Sequence, residues 1–145
     1  MRRQEKLSIF FIWIIFASLS FGQEPQHFYN VDKEIKVEGK IQKITMEPRY
    51  KNTSPFLIIM LEKKDTREIY KVEVSPVWFF DHDFHKGENL MVIGSLYSTK
   101  EKTQSIIARA IRSRGETLIL RDKQGFPNWR GGPMKKKGRR KGKRF

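Results

Sequence analysis

The sequence predicts a mainly all-β protein. The expected form is a small, five- to six-stranded OB-fold-like Greek-key barrel with one short helix. An N-terminal hydrophobic leader helix precedes it and a disordered basic C-terminal tail follows. Three observations carry this reading. Short runs of alternating apolar and polar residues recur between turn signals. The first run is long and changes phase beside a glycine, as a bent strand does. A proline-led aromatic segment separates the third run from the fourth, where an OB barrel places its connection.

Taken in order, residues 1–22 carry a charged start, Met1–Lys6, then an almost wholly apolar stretch, Leu7–Leu19, then small residues at Ser18, Ser20 and Gly22. This is the layout of a secretory signal peptide. At 13 residues Leu7–Leu19 is short of the ~20 that a membrane span needs. Cleavage at Gly22–Gln23 and retention of residues 7–22 as an inner-membrane anchor are the two alternatives. Residues 23–33 are a flexible lead-in. Within Asn30–Met46, Ile35, Val37, Gly39 and Ile41 alternate with Lys36, Glu38 and Lys40, and then Ile44 and Met46 take the opposite parity. Phe56–Leu61 is a continuous apolar run, the pattern of a strand buried on both faces. Ile69–Val74 alternates again, with Tyr70, Val72 and Val74 on one side. A short helix or helical turn is expected from Ser75-Pro76, since proline suits a helix start. Further strands are expected at Leu90–Tyr97, Gln104–Ile111 and Thr117–Arg121, with Phe126–Trp129 closing an ordered domain of residues 34–129.

Composition bounds the function. The chain has 145 residues, room for one domain, and no cysteine, which removes disulfides, thiolate metal sites and a cysteine nucleophile. Nine of the lysines and arginines fall in residues 130–145, where there is no acid, and the leader carries +2; this leaves +3 of the formal +14 for the rest. The domain is therefore mildly basic, and the tail holds most of the affinity for polyanions. No phosphate-binding glycine loop, Gly-x-Ser-x-Gly elbow or His-Glu-x-x-His motif is present, so a non-enzymatic protein without a cofactor is expected.

Several segments together resemble a group of small exported bacterial OB-fold proteins, described as nucleic-acid-binding-like. They are Val72–Phe80 with Gly87–Ser95, Ala108–Arg112, Gly115-Glu116-Thr117-Leu118, and Leu120-Arg121-Asp122 through Gly125-Phe126-Pro127-Asn128-Trp129. Ser75-Pro76-Val77-Trp78 stands where the group has Gly-Pro-x-Trp, and Gly87-Glu88 where it has Gly-Asp. The resemblance covers roughly residues 34–131 and implies fold and export; it implies no defined chemistry.

OB-folds bind on the face of strands two and three, between the loops joining strands one to two and four to five. The first loop offers Arg49, Tyr50 and Lys51, the second Lys100 and Lys102. Arg109 is read as facing solvent on the barrel wall. Basic residues with an aromatic suit an anionic chain with stackable rings. Trp78 is expected in the core. Trp129 is either a core residue or a stacking platform within Gly125–Trp129. In the tail, Lys135, Lys136, Lys137, Arg139, Arg140 and Lys141 form a block that binds polyanions through counterion release. Asp81-His82-Asp83-Phe84-His85 sets two imidazoles close enough that His82 and His85 are the candidates for a metal such as zinc; a polar turn is the simpler reading.

The function expected from all this is an exported binding module of the periplasm or cell envelope. Its partner would be a polyanion: an acidic glycan, an anionic lipid surface or nucleic acid. The alternatives are an envelope assembly factor that binds another protein, a nucleic-acid-binding OB protein, and a metal-binding protein.

Overall fold

The computed structural model describes residues 28–97 and 103–135. The predicted leader, the first part of the lead-in, Lys100, Lys102 and the tail beyond Lys135 lie outside them. Six strands follow a short 3-10 turn at Val31–Lys33: β1 (Glu34–Glu47), β2 (Phe56–Lys63), β3 (Ile69–Pro76), β4 (Asn89–Tyr97), β5 (Gln104–Ser113) and β6 (Glu116–Ile119). The sheet order is β3-β2-β1-β4-β5-β6, and β3 also pairs with β5 in parallel, Tyr70–Glu73 against Gln104–Ile107. That extra pairing closes five strands into a barrel in the order β1-β2-β3-β5-β4, with β6 added outside. The all-β, OB-fold-like barrel expected from the sequence is therefore the fold.

The long first strand works as its phase slip predicts. Its first half pairs with β4 and its second half with β2; Gly39 and Lys40 pair with both. The register shifts between Ile41 and Lys43, so Gln42 is the extra residue that changes the parity. Gly39 sits where the two pairings overlap. A Cβ built there would run into the backbone carbonyl of Glu62, so only glycine lets β2 approach.

Alternation then assigns the core. Leu57, Ile59 and Leu61 of β2, Tyr70, Val72 and Val74 of β3, Val37 and Ile41 of β1, and Ile106, Ala108 and Ile111 of β5 meet inside the barrel, together with Leu90, Val92 and Leu120. Phe56, Ile58, Ile107 and Ala110 are also buried but stand outside this cluster, because their strands are covered on the outer face too.

The connection between β3 and β4 is a turn rather than a helix. The Phe79 N–H donates to the Pro76 carbonyl at 3.0 Å, and the Val77 N–H donates to the Pro55 carbonyl at 3.0 Å. Tying residue 77 back to the end of the first loop stops the helical turn after one bond. It also settles which aromatic enters the barrel mouth. Phe79 is 3% exposed, whereas Trp78 is 44% exposed, which corrects the core assignment of Trp78. The phase of the turn, rather than ring size, decides burial here.

Gly94 marks a second crossing of backbones, where the β4–β5 register shifts between Ile93 and Gly94. A Cβ on Gly94 would meet the Ile107 carbonyl and the Ile106 side chain. Gly94→Ala should cost about 1–3 kcal/mol by overpacking. Urea unfolding would read this as a lower midpoint at unchanged slope.

Candidate functional site

Strand alternation points Glu73 and Ser75 of β3 away from the barrel interior, yet both are fully buried. The first loop (48–55) lies over Glu73 through Arg49, and the chain after β6 brings Arg121 near the same carboxylate, with Tyr29 of the lead-in beside Arg121.

The chain after β6 folds into a small clasp. The Arg109 carbonyl of β5 accepts from both the Leu120 and Arg121 N–H groups, at 2.8 and 3.1 Å. The Asp122 carboxylate accepts from the Gln124 and Phe126 N–H groups, both at 2.9 Å, an Asx turn that reverses the chain. Gly125 adopts φ +91°, and its bare Cα lies against the Tyr29 ring, where a Cβ would overlap the ring carbons. Arg121 pairs with Pro127 in a single antiparallel bridge. Asn128 then donates its N–H to the Leu120 carbonyl at 3.0 Å, and a 3-10 turn, Asn128–Gly131, carries Trp129. Trp129 packs edge-on against Phe56 (5.8 Å between ring centroids) and Phe79 (5.7 Å), which seats the clasp on the barrel mouth.

Between the clasp, the lead-in and the first loop lies an open cleft of about 510 Å³. Six aromatic rings wall it: Phe28, Tyr29, Tyr50, Phe56, Phe126 and Trp129. Phe28, Tyr50 and Phe126 are exposed at its edges. Arg121 and Arg130 supply the charge. Arg130 lies over the Phe126 ring at 5.7 Å. The Arg121 guanidinium sits 4.6 Å from the Trp129 ring centroid and 5.9 Å from that of Tyr29. It donates to the Gly125 carbonyl at 3.1 Å, while its Nε has no hydrogen-bond partner.

Electrostatics beneath the cleft follow from burial. Arg121 is 8% exposed. Loss of water pushes its pKa down, and the nearby Glu73 charge pulls it back up. Glu73 is itself held by Arg49, with Nε 3.4 Å from the carboxylate. A second group fastens the lead-in. Arg109 grips Glu34 with two bonds of 2.8 Å, and the Tyr29 hydroxyl donates to the same carboxylate. The Arg109 bonds, and then the Tyr29 bond, hold the Glu34 carboxyl below the usual carboxylate range against the effect of its burial. Burial, and then the Glu34 acceptor, push the Tyr29 hydroxyl up.

The candidates read from the sequence separate accordingly. Tyr50 and Trp129, 79 positions apart in the numbering, meet in the cleft. Lys51 is exposed on the first loop and Lys135 beyond the clasp. Arg49 is no free loop cation: its side chain is 18% exposed and paired with buried Glu73. Arg109 is likewise corrected from a solvent-facing cation to the partner of Glu34, with its side chain 21% exposed. The His82 ring stacks on Phe84 (centroids 6.0 Å), and His85 Nε2 lies 3.5 Å from the Asp83 carboxylate. Among the described residues no three His, Cys, Asp or Glu side chains gather as a ligand set. Lys100, Lys102, Lys136, Lys137, Arg139, Arg140 and Lys141 lie outside the described residues. Sequence reading missed Tyr29 and Glu73, and it offered Arg121 only as an addition to a basic face rather than as part of this cleft. The Leu120-Arg121-Asp122 to Trp129 segment was the available signal for Arg121; nothing local marks Glu73.

A family profile matches residues 33–118, from the end of the lead-in into β6. The chain belongs to the MamS/MamX magnetosome protein family. The match spans the whole barrel and stops before the clasp, so Arg121, Phe126 and Trp129 lie outside the matched span. No curated protein and no solved structure matches the chain. No helix among the described residues is long and apolar enough to cross a membrane.

The Glu34 group gives a pH prediction. Its carboxyl is lowered in the folded state, so the stability it contributes is complete above the unfolded value of about 4.3. That contribution is lost as pH falls through the lower folded value. Glu34→Gln should therefore destabilise the protein at pH 7, on the order of 1–2 kcal/mol for a charged hydrogen-bonded pair. The gap from wild type should narrow below about pH 4. Thermal unfolding of both proteins from pH 7 to pH 3 checks this; a constant gap would contradict it.

Proposed function

We propose that this family member is an exported, non-enzymatic binding module that engages an anionic polymer or surface. The aromatic, arginine-bearing cleft at the root of the basic tail is the observation that carries the reading. In this reading the tail, with nine lysines and arginines in residues 130–145, supplies long-range attraction through counterion release. The cleft supplies contact at close range, through ring faces that stack on sugar or base rings and arginines that meet charge.

Export rests on the leader pattern of residues 1–22 and on the resemblance to small exported OB-fold proteins. The family name associates the module with the magnetosome, and there the anionic partner is to be sought. An acidic glycan or an anionic lipid surface fits an exported protein better than nucleic acid does, since the leader takes the chain away from the cytosol.

Two measurements test this reading. Affinity for heparin or polyphosphate should fall steeply between about 50 and 200 mM salt, by about 10³- to 10⁵-fold if six to ten charges take part. Deleting residues 135–145 should remove most of the affinity and flatten the slope; a flat slope in the full chain would exclude a tail-driven mechanism. Trp129→Leu should weaken binding to a sugar-bearing polyanion at high salt, where the tail is screened, by about 1–3 kcal/mol. Equilibrium titration at 200–300 mM salt (roughly a 5.5–7 Å screening length) reads this difference.

A second reading, an assembly factor that binds another protein, is favoured by Trp78, 44% exposed on the turn beside the barrel mouth. A captured partner that survives high salt and is lost with Trp78→Ala would support it.

A further inference from the structure

We infer that the cleft is a seat for one ring-bearing anion: a planar aromatic ring carrying a single carboxylate or phosphate, with the anionic group on Arg121 and the ring between the aromatic walls. The inference deepens the binding-module reading and rests on it for the site, while requiring nothing of the tail.

Arg121 carries the argument. It lines the cleft, it is more than nine-tenths buried, and its Nε has no hydrogen-bond partner. Burying a charged group with an unpaired edge is costly, and an oxyanion seated against the guanidinium offsets that cost. The neighbouring carboxylates do not fill the role. Glu34 is held by both arms of Arg109 and by Tyr29. Glu73 lies against Arg49. Counting Arg49 and Arg121 against Glu73, the floor has a net positive charge, which one anionic group on a ligand offsets.

The walls set the rest of the ligand. Trp129 and Tyr29 flank the guanidinium, so an anion on Arg121 brings whatever it is attached to against ring faces. Tyr50 and Phe126 stand at the mouth, 45% and 56% exposed, where a planar group can meet them. A volume of about 510 Å³ lies within the range of roughly 300–1,000 Å³ common to small-ligand sites. A neutral ring leaves Arg121 unpaired, and a bare anion leaves the walls unused, so the site discriminates against both.

Calorimetric titration of the purified full chain at about 200 mM salt, where the tail is screened, tests this. The probes are indole-3-acetate against indole-3-acetamide, adenosine 5′-monophosphate against adenosine, and inorganic phosphate alone. In at least one pair the charged member should bind ten-fold or more tighter than its neutral counterpart, and inorganic phosphate should bind more weakly than the nucleotide. The pair that responds identifies the acid as carboxylate or phosphate. Arg121→Gln should abolish the preference. In the wild type, independently of whether that variant folds, the Arg121 Nε–H nitrogen–proton resonance should shift with the charged probe and stay with the neutral one. Equal binding of charged and neutral members, no binding by any probe, or an unmoved Arg121 resonance would overturn the inference. If heparin still binds in a salt-dependent way while every small probe fails, the cleft inference alone falls. If the small anions bind and heparin does not, the polyanion reading alone falls.

Discussion

Four parallel residue pairs between β3 and β5 are the constraint on which the rest of the molecule depends. Without them the six strands would be an open sheet with edges at β3 and β6. With them the sheet rolls up, and Glu73 of β3 comes to lie opposite Ile107 of β5 on the outer wall, with no exposure left. A carboxylate in that position needs a cation close by. Arg49 supplies it, and so the first loop is drawn onto the wall, with Tyr50 against Phe56 (ring centroids 5.6 Å). Phe56 in turn receives Trp129, and the clasp is seated. Barrel closure and cleft construction are steps in one chain of contacts.

The two charge groups beside the cleft have different characters. Glu34, Arg109 and Tyr29 satisfy one another and fasten the lead-in to β5. Glu73, Arg49 and Arg121 leave a positive surplus, and the unpartnered Arg121 Nε belongs to that second group. Structural ion groups tend to be fully satisfied, since a partly satisfied one costs more than an apolar replacement. An incomplete group at the floor of an aromatic cleft is therefore the expected mark of a place where something else completes it.

Much of the barrel was legible because alternation and phase are local properties. Ile35, Val37 and Ile41 against Ile44 and Met46 disclosed the bulge in β1 without any knowledge of its partners. The unbroken apolar run at Phe56–Leu61 disclosed a strand covered on both faces. What failed to show was set by pairing across the barrel. Glu73 occupies the polar phase of β3 and reads as solvated until β5 closes over it. Arg109 reads as an exposed strand residue, and its two bonds go to Glu34, far away in sequence. Trp78 and Phe79 are adjacent, and the bond from Val77 to Pro55 decides which of them turns inward. Tyr50 and Trp129 were both legible as candidates, but their convergence in one cleft depends on the clasp, whose course is fixed by backbone bonds to Arg109 and Leu120.

The clasp is tied to the strands and to the β3–β4 turn by few bonds among the described residues: the Leu120 and Arg121 N–H groups on the Arg109 carbonyl, the Asn128 side-chain amide on the Ile119 carbonyl, and, just beyond the clasp, the Met134 N–H on the Phe79 carbonyl. None of the strand pairings that close the barrel passes through it. Leu120 anchors its start in the core, so an opening that spares the strands is expected to begin beyond it, in residues 121–131. Every such excursion dissolves one wall of the cleft, so under the proposed reading the observed affinity is the intrinsic affinity scaled by the fraction of molecules with the clasp in place. If the proposed binding holds, residues that touch no ligand, such as Asp122 and Gly125, become determinants of occupancy, and a bound guest slows amide exchange across 121–131 before it alters the melting of the strands.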